Sequence, residues 1–230
     1  MEQYIVECLE RVAAQTYQGD IECIIVDDCG NDKSIDIAFT SPPYNRKRND
    51  KYSHYDDVIS DYFGFLKNII DEMRRVCKGH VIVNLQTNYY NKADVYKIIG
   101  HYAKEIQQII VWEKSNPLPA NGFNVTNAYE LFFVIGDKAL KANQTYTKNI
   151  ITTSVNSNMP KNHHAVMKME VAEWFIKSFT REGDIIIDPF MGIGTTAIVC
   201  RENNRHFVGF ELSKEYYDMA IENMKGKDNG

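Results

Sequence analysis

The sequence predicts an α/β protein built on a parallel or mostly parallel sheet. Short runs rich in Ile, Val and Phe alternate with longer stretches whose apolar residues recur every three or four positions, the pattern of strands joined through helices. Several short runs are apolar along their whole length, as strands buried on both faces are. The 230 residues, 44% hydrophobic and 25% charged, can bury one large core or two small ones.

In chain order, Ile5, Leu9 and Val12 share one face of an N-terminal helix, and IECIIVDD (21–28) reads as a strand. IDIAFT (35–40) is the next strand, with Ile35, Ile37 and Phe39 alternating with Asp36, Ala38 and Thr40. From Asp56 the period changes: Val58, Tyr62, Leu66, Ile69 and Met73 mark a helix that should stop near Lys78-Gly79. HVIVNL (80–85) is a buried strand, and a helix is expected from about 92 to 103. IIVWEK (109–114) and YELFFVIG (129–136) are two more strands around the loop SNPLPANGFNVTNA. From 137 to 162 the periodicity fails in a polar stretch rich in Asn, Thr and Lys; long irregular insertions are usually functional or disordered. The helix VAEWFIKSF, the strand DIIIDPF, a helix from TTAIVC, the strand HFVGFEL and a helix from Lys214 complete the chain, whose tail GKDNG should fray.

Composition narrows the partners. A net charge of −5 weighs mildly against a polyanion, although Arg46, Lys47, Arg48 and Lys51 form a basic stretch that can coexist with an acidic remainder. No apolar run approaches the roughly 20 residues of a membrane span, and the acidic, helix-patterned start MEQYIVECLERV is unlike a leader peptide. A cytoplasmic protein is expected. Its five cysteines are scattered without a CxxC pair, so neither a disulfide framework nor a metal site is expected.

Two loops carry the chemistry. TSPPYN (40–45) follows the strand IDIAF with two prolines, which fix φ, remove backbone donors and hold the carbonyls stiffly. DPFMGIGTT (188–196) lies between a strand and a helix. Gly192 and Gly194 let its backbone turn tightly and approach a ligand, and the helix start offers N–H groups. Glu211 ends the next strand, where an acid can accept hydrogen bonds from ribose hydroxyls. Strand, glycine turn, helix and acid together point to a nucleoside-containing cofactor. Ligands of such sheets bind at the carboxyl ends of the strands, which sets both loops on one crevice.

TSPPYN and DPFMGIGTT together resemble the amino-methylating DNA methyltransferases that use S-adenosylmethionine. Their order, catalytic loop before cofactor loop, resembles the circularly permuted β-class. The resemblance runs from about 35 to 224 and takes in VWEKSNPLP, NAYELFFVIGD, HHAVMKMEVAEWFI and GFELSKEYYDMA. It implies a Rossmann-like sheet with helices on both faces. It also implies a catalytic loop of Ser41, Pro42, Pro43 and Tyr44, in which the Ser41 side chain and the Pro42 carbonyl accept the N–H bonds of the target amino group while Tyr44 stacks on the extruded base. The implied cofactor residues are Asp188, Phe190, Gly192, Gly194, Thr195, Thr196 and Glu211, with His163 of HHAVMK; no metal is required. Serine at position 41 favours cytosine N4 over adenine N6. The implied partner is double-stranded DNA, with a homodimer and a cognate restriction endonuclease as further expectations. The stretch 137–162 falls where the family carries its target-recognition region, and its shortness suggests few base contacts or help from a second chain.

Residues 1–34 depart from the family, which usually opens on a strand ending in Gly-Asp whose acid contacts the cofactor's adenine. The segment resembles instead the start of a family 2 glycosyltransferase. A glycosyltransferase reading of the whole chain lacks its first strand and its metal-binding acid pair; a hybrid chain that binds DNA or cofactor but turns over poorly is a further alternative. With 35–230 as the methyltransferase domain, the 1–34 segment is expected to dock beside the IDIAF strand, placing Asp28 near the adenine. HHAVMK also departs, with His164 and Lys168 where the family commonly has prolines.

Overall fold

The computed structural model describes residues 24–27, 35–46, 58–117, 125–154 and 167–225. Among these residues, eight strands form one sheet: β1 (Ile24–Asp27), β2 (Ile37–Thr40), β3 (Val81–Leu85), β4 (Ile106–Lys114), β5 (Tyr129–Ile135), β6 (Ile150–Thr153), β7 (Ile185–Asp188) and β8 (His206–Glu211). The spatial order is β1-β8-β7-β2-β3-β5-β4-β6. β8, β7, β2 and β3 run parallel, β5 is antiparallel to both its neighbours, and β6 is parallel to β4. The sheet is therefore parallel at its centre and mixed toward the β6 edge.

Five helices are described: α1 (Tyr62–Val76), α2 (Lys92–His101), α3 (Met169–Phe179), α4 (Thr195–Glu202) and α5 (Lys214–Lys225). Asp61 caps α1, its carboxylate accepting the Gly64 N–H at 2.9 Å. Tyr62, Leu66, Ile70 and Met73 form the buried stripe that holds α1 to the sheet.

Alternation along the strands splits the core in two. Ala38, Val81, Val83, Phe133, Ile185, Ile187 and Val208 pack on one face with α1 and with Val95 and Ile98 of α2. Ile37, Phe39, Ile82, Phe132, Val134, Ile186 and Phe207 face the other way, onto Phe175 of α3, Val199 of α4 and Ala220 of α5. Helices thus cover both faces, which is why the central strands read as continuous apolar runs.

Two expectations need correction. The Ile24–Asp27 strand does not lie beside β2; it pairs antiparallel with β8, and β8 and β7 separate it from β2. Its amino end, Ile24, pairs with Glu211, and its carboxyl end, Asp27, pairs with Val208. β1 therefore runs from the edge of the sheet at Glu211 toward the opposite one. Asp28 itself lies outside the described residues, as do Ile5, Leu9, Val12 and His163. The second correction concerns 137–162: Ile150–Thr153 within it is a strand, pairing with Val111–Lys114 of β4 and burying Ile151 and Thr153.

Candidate active site

The two loops picked out in the sequence leave the carboxyl ends of neighbouring parallel strands, β2 and β7, with Ile37 opposite Ile186 and Ala38 opposite Ile187. One hydrogen bond joins them at the root: Thr40 Oγ1, immediately before Ser41, donates to Asp188 Oδ1 at 2.7 Å. Asp188 is buried and accepts two further bonds, from the Phe190 N–H at 3.0 Å and from Thr196 Oγ1 at 3.0 Å. It braces the loop and the first turn of α4, and Thr196, also buried, serves that brace.

Burial pushes the Asp188 carboxyl up to about 6, with the Thr40, Phe190 and Thr196 donors opposing the shift. The folded value exceeds the ordinary 3.8, so the native state holds this proton more tightly than the unfolded chain. The stabilisation is complete below pH ~4 and is lost as pH rises through ~6. Asp188→Asn should remove that slope: over this window the wild type should lose up to ~3 kcal/mol relative to the variant in urea titrations. Parallel profiles would mean that Asp188 does not titrate there.

The 188–196 loop turns on two left-handed glycines, Gly192 at φ 54° and Gly194 at φ 82°. A Cβ on Gly194 would sit 3.0 Å from Ala220 Cβ, so that glycine is required for α4 to pack on α5. A Cβ on Gly192 would meet nothing within 4 Å. Its outer side is open, as a backbone approached by a ligand must be. Glu211 closes the turn, Oε2 accepting the Gly192 N–H at 2.9 Å and Oε1 the Ser213 N–H at 2.8 Å. Burial raises its carboxyl, against those two donors. Phe190 lies 5.9 Å from Phe65 of α1, centroid to centroid. Thr195 is buried at the start of α4.

The 40–45 loop is held carbonyl by carbonyl. Tyr62 Oη donates to the Pro43 carbonyl at 2.7 Å, and the Asn88 and Asn91 amides donate to the Tyr44 carbonyl at 2.9 and 2.7 Å. The described residues place no donor on the carbonyl of Pro42, a buried residue. Asn45, at φ 49°, exchanges two side-chain hydrogen bonds with the Ile59 backbone and pins the loop's far end. Stiffness here comes from this scaffold as much as from the diproline.

Ser41 and Tyr44 belong to a polar cluster between β2, β3, β4 and β5. Ser41 Oγ lies 2.9 Å from Tyr44 Oη and donates to Asn84 Oδ1 at 3.1 Å. Tyr44 Oη contacts Asn84 Oδ1 as well, and Glu130 Oε2 at 3.0 Å. Lys114 Nζ bonds the other Glu130 oxygen. Tyr44 is only 8% exposed, and burial and the Glu130 charge hold its phenol well above the usual tyrosine range, so it keeps its proton. The ring is not laid bare as the stacking role requires: the Arg46 guanidinium lies over it, 5.2 Å from the centroid, while donating to Gln86 Oε1 at 2.8 Å. Asn84, Glu130 and Lys114 complete this cluster and were not picked out from the sequence. The available signal was a polar residue inside otherwise buried strands, Asn84 in VIVNL and Glu130 in YELFFVI.

A DNA methylase family model of the N6/N4 type matches residues 35–222, and a glycosyl transferase family 2 model matches residues 2–47. The chain is 27% identical to the type II methyltransferase M.BglII of Bacillus subtilis, covering 92% of this chain and 69% of the relative. It is 27% identical to the type II methyltransferase M.HpaI of Haemophilus parainfluenzae, covering 86% and 71%. Among solved structures, the cytosine-N4-specific PvuII DNA methyltransferase superposes with a TM-score of 0.67 at 19% identity, over 82% of this chain and 78% of that one. The M1.HpyAVI–SAM complex superposes with a TM-score of 0.57 at 24% identity, over 83% and 89%. At these identities the superpositions establish the fold.

Proposed function

The chain belongs to the DNA methylase family of the N6/N4 type, and from that premise we propose that it transfers a methyl group from S-adenosylmethionine to the N4 amino group of a cytosine turned out of double-stranded DNA. The observation that carries this reading is the Thr40–Asp188 bond, which sets the acceptor loop and the cofactor loop side by side at one sheet edge. The glycosyl transferase match supports no rival activity, because it stops at residue 47.

The residues fit the cofactor. The open side of Gly192 admits a nucleoside against the backbone, Glu211 offers the remaining lone pairs of a carboxylate to ribose hydroxyls, and the α4 start at Thr195 offers its N–H to a carboxylate. Phe190 adds an apolar wall. When bound, S-adenosylmethionine supplies a methyl group on a positively charged sulfur. The chain's part is to make a poor nucleophile reactive. An exocyclic amino nitrogen shares its lone pair with the ring; acceptors on its N–H bonds draw it toward a tetrahedral shape and free the pair. Ser41 Oγ and the Pro42 carbonyl are those acceptors, and holding them in place beforehand avoids reorganisation during reaction. The base stacks over the Tyr44 ring once the Arg46 guanidinium, which lies there, swings aside.

Incubating the protein with radiolabelled cofactor and unmethylated duplex DNA, then digesting to nucleosides, should yield N4-methylcytosine. N6-methyladenine in its place would move the assignment to adenine. Glu211→Ala should weaken S-adenosylhomocysteine binding by ~1–3 kcal/mol in calorimetric titration; an unchanged dissociation constant would place the ribose elsewhere. The type II relatives support a cognate restriction endonuclease as a further part of the proposal, and the short 137–162 stretch supports a second copy of the chain that supplies base contacts.

A further inference from the structure

We propose that Glu130 and Lys114 are positioning residues that set the direction of the hydrogen bonds in the Tyr44–Ser41 pair and so fix Ser41 as an acceptor toward the substrate amino group. The inference rests on the amino-methyltransferase reading and deepens it.

A hydroxyl can donate or accept, and nothing in serine itself decides which. A target amino group presents N–H bonds, so a Ser41 proton aimed at the substrate would oppose it. The cluster resolves this by counting. Two hydroxyl protons, on Tyr44 and Ser41, meet two acceptor atoms, Glu130 Oε2 and Asn84 Oδ1. The Tyr44 proton faces both acceptors, and the Ser41 proton goes to Asn84. Both protons are thereby drawn inward, and a Ser41 lone pair is left facing the site. Glu130 is 6% exposed and Asn84 1%, so water does not substitute for either partner.

Lys114 makes the arrangement one-way. Its ammonium holds Glu130 Oε1 while standing 5.0 Å over the Trp112 ring, and Trp112 is itself fixed by a 2.8 Å bond from Nε1 to Thr153 Oγ1. With one carboxylate oxygen assigned to Lys114, the other is directed at Tyr44. An amide at position 130 would keep its oxygen on Lys114 and turn its N–H groups toward Tyr44. The Tyr44 proton would then pass to Asn84, and the Ser41 proton would be displaced outward.

The test compares single-turnover and steady-state methyl transfer on duplex DNA. Glu130→Gln should lower kcat about 10- to 100-fold, with the KM for DNA and the affinity for S-adenosylhomocysteine unchanged. Glu130→Gln with Lys114→Met should recover part of that loss, because the amide is free to present its oxygen to Tyr44. In a Tyr44→Phe background, which breaks the relay while keeping the ring, Glu130→Gln should cause no further loss. Equal losses with and without the Tyr44 hydroxyl, no recovery in the double variant, or a wild-type kcat in Glu130→Gln would each overturn the proposal. Should Glu130→Gln not fold, Glu130→Leu takes its place, since it also removes the acceptor of the Tyr44 proton, and a wild-type kcat there overturns the proposal. A wild-type protein that transfers no methyl group to any DNA overturns the underlying reading and this proposal with it. Active wild type with unaffected variants overturns this proposal only.

Discussion

Ser41→Ala should reduce methyl transfer by about two to three orders of magnitude while leaving cofactor affinity and melting temperature nearly unchanged. Loss of one preorganised hydrogen-bonding group at a reacting centre typically has this size. The fold should tolerate the change because Asn84 Oδ1 retains the Tyr44 hydroxyl and Tyr44 retains Glu130. The stability cost is that of one ordinary hydrogen bond, ~1 kcal/mol. Retention of wild-type turnover would remove Ser41 from the chemistry. The comparable experiment at Tyr44 has to be Tyr44→Phe: truncation to alanine would empty a buried ring from the core and cost ~3–5 kcal/mol, confounding activity with folding.

Gly192→Val should abolish cofactor binding, raising the dissociation constant for S-adenosylhomocysteine at least ~100-fold in calorimetric titration. Two effects add. A β-branched residue is strained at φ 54°, at a cost of ~1–3 kcal/mol, and its side chain projects into the open side of the turn. Because no atom of the described residues other than its chain neighbours lies within 4 Å of that Cβ position, the variant should still fold. A substitution at Gly194 acts differently, through Ala220 and the seating of α5. Unchanged affinity in a folded Gly192→Val protein would put the cofactor away from this turn.

The central strands and both loops were legible in the sequence because each signal is local. IDIAF, HVIVNL and DIII each carry three consecutive apolar residues, and TSPPYN and DPFMGIGTT are contiguous. What failed was non-local. IITT, the β6 strand, is four residues long and alternates buried with exposed positions in polar surroundings, too short for its period to register. The position of β1 depends on β8, and no property of IIVD specifies an antiparallel partner at 208–211. The 40–45 loop was legible, but the groups that bond Ser41 and Tyr44 were not. Asn84 and Glu130 are 43 and 86 residues from their partners in the loop, and only the folded sheet brings them together.

The bond between Thr40 and Asp188 also has a consequence in time. It joins groups 148 residues apart in the chain. At synthesis rates of ~5–20 residues per second, β2 emerges roughly 7–30 s before the strand that completes its other side. β3 can pair with β2 early, since only the α1 crossover separates them, but β7, β8 and the carboxylate that anchors the catalytic loop arrive long afterwards. The nascent chain must carry the apolar edge of β2 unpaired through that interval, the circumstance in which strand edges invite misassociation and chaperone capture. Methyl-transfer competence therefore appears late and all at once, when residues 185–211 join the sheet.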